Sequence, residues 1–259
     1  MYPILFSLGS FNLRSSVFFF FLGCVAGLII GIIETKRLSE LKKIIYDPIS
    51  IWIFFLTFLP FVYLSGLVNT WFFNWEYYSK STSLEELLSS GWISYGGIIG
   101  ALIFCLIYDY LYPRITKNIT VPTIDSIALV LPIFEGVYRI GCLLNGCCYG
   151  AETTNFLGLY LPDIHGYWTV RYPTQLFYIL LGFGLFFLLW HYRKKKRFEG
   201  ELVFIYLFGY GIGRFLIDIM REDKYYFGKI NAYLMMDLSF IIISLVIMIL
   251  GRKKRKRTD

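Results

Sequence analysis

Seven apolar runs, each long enough to cross a bilayer, constrain this 259-residue chain more than any other feature. A membrane-spanning helix needs about 20 mostly apolar residues, because the bilayer core offers no partners for backbone polar groups. We therefore predict an all-α, polytopic integral membrane protein with seven transmembrane helices. The runs cover roughly residues 15–33, 48–68, 95–111, 121–140, 174–191, 199–220 and 231–250.

The composition agrees with this class and excludes others. Hydrophobic residues make up 57% of the chain and charged residues only 17%, whereas soluble domains carry about 25% charged residues. This balance excludes a disordered chain and an ordinary soluble enzyme. We predict one transmembrane domain over residues 1–259, whose longest connections are residues 69–94 and 141–173.

The basic residues predict the orientation of the spans. The net charge is +7, but Lys and Arg stand in short clusters between apolar runs, which favours topology signals over nucleic-acid binding. Seventeen of the 25 Lys and Arg fall in one alternate set of connections and tails. We therefore expect an outside N-terminus, a cytoplasmic C-terminus, extracytoplasmic connections at 69–94 and 141–173, and a basic cytoplasmic tail at 252–259 that binds anionic membrane lipids.

Charged side chains lie inside the fourth and sixth spans. The fourth span carries Asp125 near its inner end, then Glu135 and Arg139 near its outer end. Glu135 and Arg139 are four residues apart and are expected to pair on one helix face. Because a charge at bilayer depth is costly, such groups indicate a functional site.

The sixth span carries its polar groups on one stripe. At 100° per residue, Tyr210, Arg214, Asp218 and Arg221 fall within about 80° of one another on a helix. Two arginines near the outer leaflet favour an anionic ligand, since guanidinium binds phosphate in two-point fashion. The alternative is that Arg139 and Arg214 pair with carboxylates only to hold helices together.

Two other spans begin with polar or small residues at the same predicted depth. The third span starts with Tyr95, Gly96 and Gly97, where glycine allows close approach of a backbone or a ligand. The fifth span starts with YPTQ at residues 172–175. Four spans therefore place polar groups near the outer leaflet.

Five ordered sequence blocks resemble those of the prolipoprotein diacylglyceryl transferase family. The resemblance covers roughly residues 91–223. The blocks are YGGIIG at 95–100, the D–A–P–G–RxG spacing from Asp125 to Gly141, RIGCLLNGCCYG at 139–150, YPTQLF at 172–177, and YGIGRF at 210–215 followed by Asp218 and Arg221.

The resemblance implies an activity and a location. Members of this family work in the bacterial inner membrane and transfer the diacylglyceryl group of phosphatidylglycerol to the lipobox cysteine of an exported prolipoprotein. The resemblance implies no metal and no soluble cofactor. The catalytic residues that it implies are Tyr95, Arg139, Arg214 and Asp218, and the substrate-binding residues are Arg139, Gly96, Gly97, Asn145, Gly150, Gln175, Tyr210 and Arg221.

The chain departs from the family pattern at several positions, including the first span, where Arg14-Ser15-Ser16 replaces a Tyr-Gly pair. Cys142 stands where the family has Asn, and Cys147 where it has Glu. Asp218 shortens a family Glu, and Tyr178 replaces another Glu. Two alternatives therefore remain open: a paralogue that uses a different acceptor, and a non-catalytic lipid-binding membrane protein.

Three cysteines cluster just after the predicted fourth span. A disulfide from Cys142 to Cys147 or Cys148 is the favoured interpretation, since disulfides persist on the outer side of a membrane. A second interpretation is that one of these thiols takes part in the reaction and accepts the lipid group first, as a covalent intermediate. Zinc is a weaker third, because zinc usually takes four ligands and His165 is the only nearby histidine on that side.

Overall fold

Six long helices carry most of the residues that the computed structural model describes. The described residues are 2–8, 11–42, 48–73, 75, 79, 96–97, 99–100, 103–104, 107, 110, 120–163, 165–198, 200–222, 226–227 and 230–255. Within them, the helices are α1 (Ser15–Lys42), α2 (Pro48–Phe73), α3 (Thr120–Asn145), α4 (Thr174–Tyr192), α5 (Glu201–Ile219) and α6 (Ala232–Arg255).

These helices fall on six of the seven predicted runs. Helix α1 continues about nine residues past its predicted end at residue 33, and α6 continues into the basic tail. Basic side chains suit a helix C-terminus, because they interact favourably with the helix dipole. The third run is helical at its described positions between residues 96 and 110, and Tyr95 lies outside the described residues.

Five of the helices in the described part of the chain are long and apolar enough to cross a membrane. They are Ser15–Leu38, Asp125–Asn145, Thr174–Tyr192, Glu201–Ile219 and Leu234–Lys253. Large apolar side chains such as Phe21, Leu180 and Phe187 are more than 60% exposed. Exposed apolar surface of this extent is expected of helices that face lipid. The chain is a polytopic, helical membrane protein.

The chain divides into two compact units. One unit contains Met1–Thr35 and Thr123–Asp259, and the other contains Lys36–Pro122. In the first unit, α5 packs against both α4 and α6. The predicted site residues of α3, α4 and α5 all belong to the first unit, whereas Gly96 and Gly97 belong to the second.

Three short antiparallel hairpins complete the described structure. They pair β1 (Ile4–Leu8) with β2 (Phe11–Arg14), β3 (Leu159–Pro162) with β4 (Trp168–Arg171), and β5 (Tyr226–Phe227) with β6 (Ile230–Asn231). The β3–β4 hairpin stands in the connection between α3 and α4. Its backbone also pairs with the connection itself, because Glu152 forms a bridge with Arg171.

Asp125 anchors the start of α5 to the start of α3. Its carboxylate lies 2.5 Å from the Lys196 ammonium and accepts backbone N–H groups of Gly200 and Leu202 at 3.2 Å. Carboxylates at a helix N-terminus satisfy backbone donors that the helix itself leaves unpaired. The charge at Asp125 therefore serves helix packing, at the end of α3 opposite to the polar cluster described below.

Two glycines bring α3 and α4 into backbone contact. A Cβ on Gly182 would lie 2.6 Å from the Gly136 nitrogen and 2.9 Å from the Pro132 carbonyl oxygen. Small residues at such crossings let helices approach closely in a membrane. This approach sets the spacing between the helices that carry Arg139 and Gln175.

Replacing Gly182 with alanine is expected to destabilise the protein. The new methyl group meets backbone atoms that cannot rotate away, and overpacking of this kind costs about 1–3 kcal/mol. Gly184→Ala is the matched control, because a Cβ there meets nothing within 4 Å. Thermal unfolding in detergent measures both variants. Equal unfolding temperatures for Gly182→Ala and Gly184→Ala would contradict the close approach.

Candidate active site

Arg139 lies in the last third of α3 and pairs with Glu135 one turn earlier. Its Nε donates a hydrogen bond to Glu135 Oε1 at 2.8 Å, and one terminal nitrogen lies 2.8 Å from the same oxygen. The arginine is only 4% exposed. The pair predicted from the four-residue spacing is therefore confirmed. Because both partners stand on one helix, this pair does not by itself hold two helices together.

Tyr178 of α4 joins Arg139 to the polar stripe of α5. The Arg139 guanidinium lies 4.2 Å from the centre of the Tyr178 ring, a distance at which cation–π attraction operates. At its other end, the Tyr178 hydroxyl donates a hydrogen bond to the Asp218 carboxylate. The tyrosine is completely buried. One side chain thus contacts the cationic group of α3 and the anionic group of α5.

The polar stripe of α5 is buried as a unit. Arg214 donates to Asp218 Oδ2 and to the Tyr210 hydroxyl, both at 3.1 Å. Asp237 of α6 lies 3.9 Å from the same guanidinium. On the opposite face, Leu216 is 54% exposed. The stripe predicted from the helical spacing is confirmed for these residues.

Helix α5 ends at Ile219, two residues before Arg221. The Arg221 side chain nevertheless lies beside the polar stripe of α5. Its guanidinium is 3.9 Å from Asp218 Oδ1. The side chain is largely buried. Asp218 therefore has Arg214, Arg221 and the Tyr178 hydroxyl around one carboxylate. Such a shared carboxylate fixes the relative positions of the cationic groups.

The loop after α3 is held by the fifth-span block. Thr174 donates its hydroxyl to the Cys148 carbonyl at 2.7 Å, and Gln175 donates its amide to the Cys147 carbonyl at 3.0 Å. These contacts join the YPTQ block at 172–175 to the RIGCLLNGCCYG block at 139–150. The Gln175 side chain therefore holds the loop backbone, and its Nε2 group is engaged in that hydrogen bond.

Gly150 closes the loop against two chain segments. Its N–H donates to the Tyr172 carbonyl at 3.2 Å, and the next residue, Ala151, donates to the Met220 carbonyl at 2.9 Å. A Cβ at Gly150 would lie 2.5 Å from the Tyr172 oxygen and 2.9 Å from the Met220 oxygen. Glycine is therefore required by packing, and three of the five sequence blocks meet at this point.

The three cysteines converge. Their sulfur atoms all lie within 4.8 Å of one another, and all three are free thiols. Cys142 belongs to the last turn of α3, since the helix runs to Asn145, so the expectation that all three follow the span is wrong for Cys142. The disulfide predicted from the sequence is not formed in this structure.

The thiols outside the span differ in acidity. Hydrogen bonds from the thiols of Cys142 and Cys147 hold the pKa of Cys148 well below its usual value, with Arg139 and Arg221 acting in the same direction. For Cys147, the hydrogen bond with Cys142 favours the thiolate, but the contact with Cys148 and burial outweigh it and raise the pKa to about 11. The surroundings therefore favour the thiolate at Cys148 more than at Cys147.

Arg171 is a buried cation that was not predicted from the sequence. It donates to Glu222 at 3.2 Å and to the Leu161 carbonyl at 3.3 Å, and its guanidinium lies 4.5 Å from the Tyr149 ring centre. It joins the hairpin to the residues after α5. Its charge sits in a connection, where an arginine usually faces water, so the sequence held no signal of its burial.

Tyr178 is the second residue missed as part of the site. It follows Gln175 by three positions and Thr174 by four, which places all three on one face of α4. That spacing was the available signal. In the sequence, Tyr178 stands out only as a substitution for a family glutamate.

The remaining predicted site residues lie elsewhere or outside the described part. In the second unit, Gly96 packs on α2. Its carbonyl accepts a hydrogen bond from the Ser65 hydroxyl at 2.9 Å, and a Cβ on Gly96 would lie 2.7 Å from the Ser65 carbonyl oxygen. Gly97 is buried beside it. Asn145 ends α3 with a half-buried side chain. Tyr95 falls on residues that the structure does not describe.

Known proteins resemble the chain along nearly its whole length. A family model described as prolipoprotein diacylglyceryl transferase matches residues 3–250. The phosphatidylglycerol–prolipoprotein diacylglyceryl transferase of Clostridioides difficile is 28% identical over 236 residues, covering 90% of this chain and 89% of the relative. The Limosilactobacillus reuteri enzyme of that name is 29% identical over 265 residues, covering 97% and 92%.

A third relative matches about half of the chain more closely. The Clostridium perfringens protein named phosphatidylglycerol–prolipoprotein diacylglyceryl transferase 2 is 36% identical over 140 residues, which is 52% of each chain. The long matches agree with the sequence blocks, three of which the structure brings into one buried cluster. On the extent of the match to the family model, this chain belongs to the prolipoprotein diacylglyceryl transferase family.

Proposed function

We propose that this protein transfers the diacylglyceryl group of phosphatidylglycerol to the thiol of a lipobox cysteine in exported prolipoproteins. The observation that carries the proposal is the buried cluster in which Tyr178 and Asp218 link Arg139 to Arg214, in a chain of this family. The cysteine sulfur bonds to the glyceryl carbon, and the bond from that carbon to the phosphate oxygen breaks. A thioether forms and glycerol phosphate leaves.

The leaving group explains the need for two arginines. The phosphodiester of phosphatidylglycerol carries one negative charge, and the departing glycerol phosphate gains a second at the oxygen that leaves. Fixed cations at that oxygen lower the energy of the transition state, and most strongly where water is excluded. Arg139 and Arg214 are both almost completely buried, and each is oriented by a carboxylate on its own helix.

The proton of the acceptor thiol needs a separate acceptor. A free cysteine has a pKa near about 8.5 and attacks as the thiolate. Both oxygens of Asp218 already contact Arg214, Arg221 or Tyr178, which favours a positioning role for this carboxylate. We therefore assign proton removal to Tyr95, whose phenolate oxygen takes the thiol proton and whose block opens the predicted third span.

The other residues of the site hold lipid or shape the loop. Gly96 and Gly97 stand at the start of the third span, where we assign them to lipid binding, and Tyr210 and Arg221 flank Asp218. Gly150 and Gln175 fix the backbone of the loop that follows α3. Together with Asn145, they bind the substrate through this loop.

We further propose seven spans with the N-terminus outside and the C-terminus in the cytoplasm of a bacterial inner membrane. Five helices of the described residues meet the length and composition required of a span. Helix α2 and the apolar run at 95–111 supply the remaining two. The alternating excess of Lys and Arg supports the orientation. In the proposed orientation, the polar cluster lies near the outer leaflet, where exported substrates arrive.

Complementation tests the function directly. A bacterial strain depleted of its own diacylglyceryl transferase is expected to regain growth and lipid-modified lipoproteins when it expresses this chain. Purified protein in phosphatidylglycerol nanodiscs is expected to add one diacylglyceryl group to a lipobox peptide, detected by mass. Lipid binding without any modified peptide would favour a binding protein. Consumption of phosphatidylglycerol without peptide modification would favour a paralogue with another acceptor.

Tyr95→Phe is expected to lower the transfer rate about 10²–10⁴-fold, because loss of a general base typically has an effect of that size. Tyr110→Phe is the control, since Tyr110 is 84% exposed. Initial rates of peptide modification measure both variants. A Tyr95→Phe protein with the rate of Tyr110→Phe would exclude proton removal by Tyr95.

A further inference from the structure

Three thiols converge where a disulfide would use only two. The sulfur atoms of Cys142, Cys147 and Cys148 lie within 4.8 Å of one another. In a zinc site with bonds of about 2.3 Å, neighbouring sulfur atoms are about 3.8 Å apart. Small side-chain rotations are enough to bring the sulfur atoms from their present separation to the separation in a zinc site. The geometry therefore fits a shared metal ion at the centre of the three sulfurs.

The backbone holds two of the ligands from outside the cluster. The carbonyls of Cys147 and Cys148 accept hydrogen bonds from Gln175 and Thr174 of α4. Cys148 has φ 59°, a left-handed conformation that non-glycine residues seldom adopt, and Gly146 has φ 73°. Among the described residues, Cys148 is the non-glycine residue with positive φ. Outliers of this kind cluster at ligand sites, where the surroundings enforce them.

The surroundings also balance the charge of a metal–thiolate centre. Three thiolates and one Zn²⁺ carry a net charge of −1. The buried guanidinium groups of Arg139 and Arg221 both interact electrostatically with Cys148. Buried charge requires such compensation, since an isolated ion in an apolar region is strongly unfavourable. The two arginines supply it without becoming ligands.

We propose that Cys142, Cys147 and Cys148 bind one Zn²⁺ ion. Among the described residues, no His, Asp or Glu joins the three sulfurs in this group of potential ligands. Water therefore takes the fourth position on the ion. The proposal goes beyond the transfer activity and replaces the expectation of no metal. It also gives one reason for cysteines at the positions where the family has Asn and Glu.

Metal titration of the full-length protein tests the site. The protein is purified in detergent, reduced, stripped with a chelator and handled without oxygen. Adding Co²⁺ as a spectroscopic probe is expected to give a near-ultraviolet thiolate-to-cobalt band that saturates at one equivalent. Zn²⁺ is expected to remove that band. These readouts do not depend on transfer activity, so they fail or succeed separately from the proposed function.

Serine variants identify the ligands. Cys142→Ser, Cys147→Ser and Cys148→Ser are each expected to weaken Zn²⁺ binding by at least the roughly 10–100-fold that loss of an outer partner causes. Cys24→Ser is the matched control, because Cys24 lies in α1 and is not part of the group. An equal affinity in all four variants would overturn the proposal.

A measurement on the unmodified protein removes dependence on variant folding. Bound Zn²⁺ is expected to slow alkylation of Cys142, Cys147 and Cys148 at least 10-fold, with Cys24 unchanged, as read by peptide mass spectrometry. Unchanged alkylation of the three thiols would overturn the proposal. The proposal would also be overturned if the protein, isolated without added oxidant, contained a disulfide between two of the three cysteines and no bound zinc.

Discussion

Arg139→Ala is expected to lower the rate of diacylglyceryl transfer about 10²–10³-fold. Removing one fixed donor from an anion-stabilising site has an effect of that size. Arg139 is buried between Glu135 and the ring of Tyr178, so water does not replace the lost charge efficiently. Initial rates with phosphatidylglycerol nanodiscs and a lipobox peptide measure the change.

Arg139→Lys separates the role of the planar guanidinium from that of charge alone. Lysine keeps the positive charge beside Glu135, which protects the fold, but it offers no two-point fork for phosphate. We expect little recovery of rate with an unfolding temperature close to that of the unchanged protein. More than half of the normal rate in either Arg139 variant would exclude a phosphate-binding role.

The control for these variants comes from the structure. Arg193 in the basic run looks exposed from sequence, but its guanidinium lies 3.0 Å from the Trp190 ring centre and 3.5 Å from Glu34. Its neighbour Lys194 is exposed. Lys194→Ala is therefore the matched control and is expected to leave the rate unchanged.

Asp218→Ala is expected to reduce both stability and transfer. Asp218 is the carboxylate that Arg214, Arg221 and the Tyr178 hydroxyl share. Breaking a buried ion pair by removing one partner costs about 3–5 kcal/mol, because the other charge stays buried. Unfolding of the detergent-solubilised protein by heat and by denaturant measures the loss. Glu152→Ala is the control, because the Glu152 side chain is exposed.

Two conservative variants decide what Asp218 does. Asp218→Asn keeps the size of the side chain and removes its charge, so it is expected to misorient Arg214 and lower the rate. Asp218→Glu restores the residue found in the family and is expected to keep most of the activity. A fully active, fully stable Asp218→Asn protein would contradict a positioning role through charge.

The sequence by itself predicts the helices well, because length and apolarity are local properties. Six apolar runs coincide with the helices α1 to α6. The polar stripe from Tyr210 to Asp218 follows from the helical repeat alone, as does the Glu135–Arg139 pair. These inferences hold because neighbours along one helix are fixed by its geometry.

Contacts between helices required the tertiary structure. Tyr178 stands 39 residues after Arg139 and 40 before Asp218 in the chain, and only helix packing shows that it contacts both. The burial of Arg171 and the anchoring of α5 by Asp125 were equally hidden. The sequence placed three cysteines within seven residues, but left open whether their sulfurs meet. The end of α3 at Asn145 and the left-handed turn at Cys148 decide it, because together they direct all three thiols to one point.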